Sequence, residues 1–470
     1  MRLLLPTGSI TRGLVTRAAE GMDAEVVVTG EIASFLTPAQ LRSHLSRGSY
    51  DMAIVSGMCT ASFADVEKDT GVPIFRGPRH AADLPLILPR LDEITLSRTV
   101  PADDFLIAER KKAARARIRR EEEEAPCDFM IRGLKIGGTS RMKVLGEIMD
   151  AHRHPDIAAA AERFFASGAD IVDLGFGFDA TPGDVARCFA ELRELPGPLA
   201  VDSQDPELIR AALFRADLVL SLQEENIPLV AAEVARAGAA AVVVPGERDL
   251  AANLRAAEAA GISRLIADPL LQPVGSGLVL SLRACAPDGR PLFFGAGNVV
   301  ELLDADSPGA NALLAGMAHE CGAAVIFTSE HSDKTLGSVG EMRTATEMMA
   351  LVRDRPYPKD LGIDLLVIKE KRRRREPPLS YAEVIDAMPM PDDITYDPRG
   401  NLRIGIEGRM IVAVHNGVAF RGERWQDVLW TLLAHDRVSL LDHAAYLGKE
   451  LFKAECALRF GRSFEQDGPF

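Results

Sequence analysis

The sequence predicts an α/β protein: a central (β/α)8 barrel flanked by a small N-terminal α/β domain and a C-terminal α+β domain. Between Pro126 and Pro356, a short apolar run followed by a segment of helical period recurs eight times, which is the pattern of parallel strands alternating with helices. Several of these runs end in polar groups, among them Asp202, Asp268, Asn298 and Ser329. In such barrels the reactive groups stand at the carboxyl ends of the strands. The chain has 470 residues, too many for a single barrel of ~250. The expected divisions are residues 1–100 for the small domain, 101–125 for a charged helical connector, 126–355 for the barrel and 356–470 for the C-terminal domain.

In the first domain, residues 2–5, 24–28 and 51–55 are short apolar strands, and the helical spacing of 11–20 and 38–47 between them implies parallel crossovers. The opening Met1-Arg-Leu-Leu-Leu-Pro-Thr-Gly reads as the first of these strands, since its apolar stretch is too short for a signal sequence. Thr7-Gly8-Ser9, Thr29-Gly30-Glu31 and Ser56-Gly57 close the strands at the sheet edge where open α/β folds bind ligands. Without a G-x-G-x-x-G or G-K-[ST] pattern they read as tight turns ahead of a phosphate site. The connector, with Glu109-Arg-Lys-Lys and the run 121–124 of glutamates, reads as a solvated helix.

The barrel strands are expected at 129–136, 170–174, 199–202, 217–222, 240–244, 264–268, 291–294 and 323–327. The C-terminal domain is expected to hold strands at 364–368, 402–406 and 410–414, followed by one amphipathic helix over 438–459. Leu440, Ala444, Leu447, Leu451, Ala454 and Leu458 form the buried stripe of that helix. The basic run that starts at Lys371 is an exposed loop with no assigned function.

A net charge of −14 argues against a nucleic-acid surface, which needs a concentrated excess of Lys and Arg. Cys59, Cys127, Cys188, Cys285, Cys321 and Cys456 show no C-x-x-C spacing, which suits reduced thiols in the cytoplasm and argues against zinc. No segment reaches the ~20 apolar residues of a membrane span. His152 and His154 form an H-x-H without further ligands and read as surface residues, so no metal ligands are assigned.

The chemistry is expected at the barrel mouth. Asp205 and Pro206 already supply the cap and first position of the third helix, which leaves Asp202 free to accept paired N–H donors. Asp268 ends strand six ahead of Pro269, with Gly275 opening the next segment. Gly295 and Gly297 let the backbone approach a flat ligand, beside an Asn298 that both donates and accepts.

These residues resemble the pterin-binding barrels, namely dihydropteroate synthase and the methyltetrahydrofolate-dependent methyltransferases. Gly168-Ala-Asp-Ile-Val-Asp173-Leu-Gly175 is similar to their G-A-D-I-[IL]-D stretch, Val201-Asp202-Ser to I-D-[ST], and Asp268-Pro-Leu to their strand-six D-P. The likeness spans residues 126–355 and implies that Asp173, Asp202, Ser221, Gln223, Asp268, Gly295 and Asn298 hold the pterin. Gly295-Ala-Gly-Asn298-Val resembles the methyltransferase G-x-S-N-x-S-F-G, in which the Asn approaches pterin N5, whereas the synthase has S-R-K there. The chain departs from the synthase in lacking the first-strand N-V-T-P-D-S-F loop with its magnesium-associated Asn, the strand-four Asn and the strand-eight R-x-H. Ser221 or Gln223 substitutes for the strand-four Asn, and Lys334 and His331 suit an anionic substrate.

The three-part chain, with its His443-Ala-Ala-Tyr-Leu-Gly-Lys449 helix, resembles the dihydropteroate-synthase-related proteins of methanogenic archaea and methylotrophic bacteria. The resemblance implies a one-carbon-metabolism transferase of tetrahydromethanopterin biosynthesis. It would join hydroxymethyl-dihydropterin diphosphate to the arylamine ribofuranosylaminobenzene phosphate. Lys135, Arg141 and Lys334 would meet phosphate, Asn298 and Lys334 would serve catalysis, and Mg2+ is allowed beside the diphosphate. A homodimer is also allowed. Methyl transfer from a methylpterin to a corrinoid partner is the alternative, and non-catalytic pterin binding is the third reading.

Overall fold

Four parallel strands begin the chain: β1 (Leu3–Gly8), β2 (Ala24–Gly30), β3 (Met52–Val55) and β4 (Ile74–Arg76), hydrogen-bonded in the order β2-β1-β3-β4. The computed structural model describes residues 1–285, 289–352, 357–359, 361–371, 381–389 and 395–469. The chain divides into the units Met1–Leu379 and Ser380–Phe470, so the small domain and the barrel share the first unit. The expected boundary at 355/356 lies outside the described residues. Leu361, Ile363 and Leu365, assigned to the C-terminal domain by sequence, pack on the barrel instead.

The helix Ala102–Glu124 is less solvated than its charge suggests. Leu106 packs in the first-domain core, whereas Ala114 and Ile118 pack with barrel residues.

Two short antiparallel strands follow, β5 (Phe129–Ile131) and β6 (Leu134–Ile136). They correct the expected first barrel strand. They form a hairpin whose Ile131 and Ile136 enter the barrel interior beside Leu145, Ile171, Leu218 and Ile266. Each isoleucine contributes roughly 1.5–3 kcal/mol by leaving water. Arg132 pairs with Asp217 and Arg264 donates to the Met130 carbonyl, which fixes the hairpin at the amino ends of the strands.

The barrel itself consists of β7 (Lys143–Ile148), β8 (Ile171–Gly175), β9 (Leu199–Asp202), β10 (Leu218–Leu222), β11 (Ala240–Val243), β12 (Leu265–Ala267), β13 (Leu292–Phe294) and β14 (Ala323–Ser329). All pairs are parallel, and β14 closes on β7 with Ser329 beside Glu147. These strands are apolar along almost their whole length because helices cover one face and the interior core the other. Asp205 caps its helix as expected, accepting from the Glu207 N–H at 2.8 Å. Among the described residues, no helix is long and apolar enough to cross a membrane.

The second unit holds a three-stranded antiparallel sheet, β15 (Arg403–Glu407), β16 (Met410–His415) and β17 (Val418–Gly422), packed on the helices Trp425–Ala434 and Leu441–Phe460. Leu447, Leu451 and Ala454 are buried as the stripe predicts. The expected strand at 364–368 is not one: Leu366, Val367 and Ile368 are exposed. Of the basic run, residues 372–375 lie outside the described residues, and Lys371 pairs with Asp364.

Asp397 organises this second unit. Its carboxylate accepts from the N–H groups of Arg399, Ser439 and Leu440, from the Ser439 hydroxyl, and faces His443 Nδ1 at 2.9 Å. Burial works against the charge, but the Ser439, Arg399 and His443 donors outweigh it and hold the carboxyl well below the usual carboxylate range. A depressed carboxyl stabilises the fold above its unfolded value near ~4 and loses that contribution as pH falls through the folded value. Asp397→Asn is therefore expected to lower the unfolding midpoint at pH 7 by ~5–10 °C, the difference shrinking below pH ~4. Both tryptophans, Trp425 and Trp430, lie in this unit, so their fluorescence reads it alone. Equal midpoints at pH 7 would refute the role given to Asp397.

Candidate functional site

The carboxyl ends of β7, β8, β9 and β12 bring four acidic side chains to one end of the barrel. Glu147 lies beside Asp173 in register, and Asp202 beside Gly175, one layer further out. Glu147, Asp173 and Asp202 each offer a carboxylate oxygen within 4.8 Å of the other two. Asp173 is fully buried, and neither of its oxygens has a hydrogen-bond partner. Asp268 is buried and accepts from the Leu270 N–H at 2.8 Å.

Burial raises all four carboxyls, because leaving water disfavours the charged form. It raises Asp202 to about 6. Asp268 rises to about 7, chiefly by burial, with the charge of Asp202 adding to it against the Leu270 N–H. Glu147 is raised to about 8 by burial first and then by the charges of Asp202, Glu301 and Asp150, and Asp173 is raised by burial first and then by Asp202 and Glu147. Asp202 and Asp268 stand at the carboxyl ends of β9 and β12, at the same end of the barrel. Glu147 was missed, because its strand was assigned to the hairpin. Its signal was the apolar run Val144-Leu-Gly, cut short by the acid itself.

Asn298 is exposed at the start of the short helix Gly297–Glu301, just beyond β13 and the buried Gly295. Glu301 was also missed by sequence. It accepts from the hydroxyls of Ser329, Ser332 and Thr335 and from the His331 and Ser332 N–H groups, so it fastens the helix bearing Asn298 to the loop after β14. Ser221 is half-buried at the end of β10, and the Gln223 side chain donates to Gln204 and Glu225. Asn226 is buried with its amide spent on the Gln204 and Ser221 carbonyls and the Gln223 N–H.

The expected cations are elsewhere or engaged. Lys135 lies in the hairpin at the opposite end, donating to the Glu122, Glu123 and Ala125 carbonyls that end the connector helix. This is the natural place for a cation, since a helix terminus presents unpaired carbonyls. Arg141 precedes β7 at that same end, buried against Asp170 at 2.6 Å. Neither can meet phosphate at the mouth. Both were misplaced with the first strand. Lys334 is near the mouth but pairs with Asp304 at 3.0 Å and donates to the Leu303 carbonyl. His152 is not a surface residue: its side chain is 7% exposed, with Nε2 3.4 Å from Asp179.

A separate cavity of about 380 Å³ lies at the carboxyl edge of β1, β3 and β4, lined by Leu5, Thr7, Ile54, Ser56, Arg79 and His80 among others. The loop N–H groups at this edge are already bonded: Ser9 to the Gly30 carbonyl, Gly57 to Pro78 and Gly77 to Val55. Arg79 is held by Asp103 and Asp104.

The fold and site together define a (β/α)8 barrel protein with an acidic mouth suited to a ligand that presents N–H groups or positive charge. The chain is 32% identical over 516 aligned positions to the uncharacterized protein MJ0107 of Methanocaldococcus jannaschii, covering 99% of this chain and 98% of that one, and it belongs to the same family. Residues 396–467, in the second unit, match the family model described as PterinBD-DUF4346. Among solved structures the chain is similar to Rv1207 of Mycobacterium tuberculosis (20% identity, 49% of this chain and 100% of that one, TM-score 0.38). It is also similar to dihydropteroate synthase of Xanthomonas albilineans with 4-aminobenzoic acid (21%, 46% and 95%, TM-score 0.37). A further likeness is to the Thermus thermophilus dihydropteroate synthase in complex with 6HMPPP (24%, 44% and 93%, TM-score 0.35).

Proposed function

We propose that this chain is a pterin-binding transferase of the dihydropteroate synthase type. It would join hydroxymethyl-dihydropterin diphosphate to ribofuranosylaminobenzene phosphate in the synthesis of tetrahydromethanopterin. The observation that carries this reading is the pair of half-buried Asp202 and buried Asp268 at the carboxyl ends of β9 and β12, with no cationic side chain paired to either among the described residues. The 2-amino-4-oxo pyrimidine edge of a pterin presents the N–H donors that such carboxylates lack, and charge-assisted bonds of this kind are about twice as strong as neutral ones.

In the reaction, the arylamine nitrogen forms a bond to the pterin methylene carbon as the C–O bond to diphosphate breaks, and the amine gives up a proton. The ring stabilises the developing cation, so the protein mainly orients the two partners. Asp202 and Asp268 hold the ring, and Gly295 leaves its flat face open. Asn298 stands at the entrance. With Lys135 and Arg141 at the far end and Lys334 paired, the mouth offers the leaving group little positive charge from side chains.

That shortage and the exposed Asn298 favour a second reading, methyl transfer from a methylpterin to a corrinoid partner. Incubating the full chain with the dihydropterin diphosphate and the ribosylated arylamine is expected to release diphosphate. If no diphosphate is released while methyl passes from a methylpterin to cob(I)alamin, the order of the two readings reverses. Pterin binding with neither reaction would leave a binding protein.

A further inference from the structure

Three carboxylates on adjacent strands, Glu147, Asp173 and Asp202, converge within 4.8 Å at the barrel mouth. Repulsion between like charges makes this arrangement costly unless something positive or protonated joins it. Asp173 sharpens the point: it is 0% exposed, and both of its oxygens lack a hydrogen-bond partner. The fold also makes room for the cluster. A Cβ on Gly175 would stand 2.6 Å from Glu147 Oε1, so the missing side chain is what lets the Glu147 carboxylate fold inward over β8. Among the described residues, no Lys, Arg or His is paired with any of the three. Lys135, Arg141 and Lys334 are bonded elsewhere.

We propose that Glu147, Asp173 and Asp202 form a binding site for one divalent cation. An all-oxygen, all-carboxylate donor set selects hard ions such as Mg2+ or Mn2+ over zinc, and the spacing admits oxygens at about 2.0–2.6 Å from a common centre. The Mg2+ expected from the resemblance was tied to a first-strand asparagine that this chain lacks, whereas this site is built from other residues. Its chemical use rests on the proposed transferase reading: a bound cation supplies the positive charge for an anionic leaving group that the side chains at the mouth do not.

The test uses metal-stripped full-length protein and MnCl2 or MgCl2 alone, without pterin. Calorimetry is expected to show one saturable Mn2+ per chain, and a hundredfold excess over Kd should raise the melting temperature of the barrel unit by ~3 °C. Asp173→Asn is expected to weaken binding at least ~10-fold, whereas Glu258→Gln, remote from the mouth, should leave it unchanged. If Asp173→Asn does not fold, Gly175→Ala carries the test. Its methyl group displaces only the flexible end of Glu147, so the fold should survive while Mn2+ affinity falls. Absence of saturable Mn2+ binding, or equal affinity in the wild type and the folded mouth variants, would overturn the site. Loss of binding in Glu258→Gln would do the same, by showing diffuse surface binding. Because no pterin is present, failure here leaves the pterin reading intact, and failure to bind pterin leaves the cation site intact.

Discussion

Replacing Asp202 and Asp268 together by asparagine is expected to cut the affinity for a reduced pterin by ~10²–10⁴-fold. Each asparagine keeps the shape of the side chain but turns an N–H group toward the N–H groups of the ring. A buried donor left unpaired costs ~1–3 kcal/mol, and two such losses at separate points of one ring combine roughly additively. The variant should not melt earlier than the wild type, because both changes remove buried charge with little compensation. Fluorescence titration with a reduced pterin, read beside the melting curve, tests both halves of the expectation. A Kd within twofold of wild type would remove the two carboxylates from the site.

Arg141→Ala is expected to act in the opposite way, lowering stability by ~3–5 kcal/mol and leaving pterin affinity unchanged. Arg141 is buried at the amino end of the barrel, 2.6 Å from Asp170, and donates to the Met142 carbonyl and Thr346 hydroxyl. Burial alone would raise the Asp170 carboxyl, but Arg141 and Arg343 outweigh it and hold it low. Without Arg141, only Arg343, 3.0 Å away, remains to neutralise a buried charge. For a unit of this size the loss corresponds to ~4–6 °C in the barrel melting temperature. Were Arg141 a phosphate ligand at the mouth, the variant would keep its melting temperature and lose affinity for the diphosphate substrate. That result would contradict the placement described here.

Seven of the eight barrel strands were legible because a strand covered on both faces leaves a continuous apolar run, bounded by polar, glycine or proline residues. The first was not. Lys143–Ile148 begins with a lysine and carries a glutamate near its end, which breaks that appearance, whereas the hairpin before it looks like a strand with a polar interruption. Lys143 is tolerated in a fully buried position because it donates to the Ser140 hydroxyl and the Arg141 carbonyl and meets Glu122 of the connector helix at 2.9 Å, a pairing 21 residues apart that periodicity does not reveal. The same misassignment carried Lys135 and Arg141 to the wrong end and hid Glu147. Asp202 was legible because it ends its strand while Asp205 takes the capping duty, and Asp268 because it ends an apolar run ahead of Pro269. The segment 364–368 misled for the converse reason: its apolar residues follow a strap that packs on the barrel through Ile363 and Leu365, so they are not sheet residues.

The bonds gathered by Glu301 have a bearing on how ligand preference could change over time. One carboxylate fastens the Asn298 turn to the segment Ser329–Thr335, so these two walls shift as a single plate and a substitution in either is felt by both. The other side of the entrance is joined as well, since His152 and Arg153 of the segment after β7 both face Asp179 of the segment after β8, so adapting to a differently shaped second substrate calls for paired substitutions on either side.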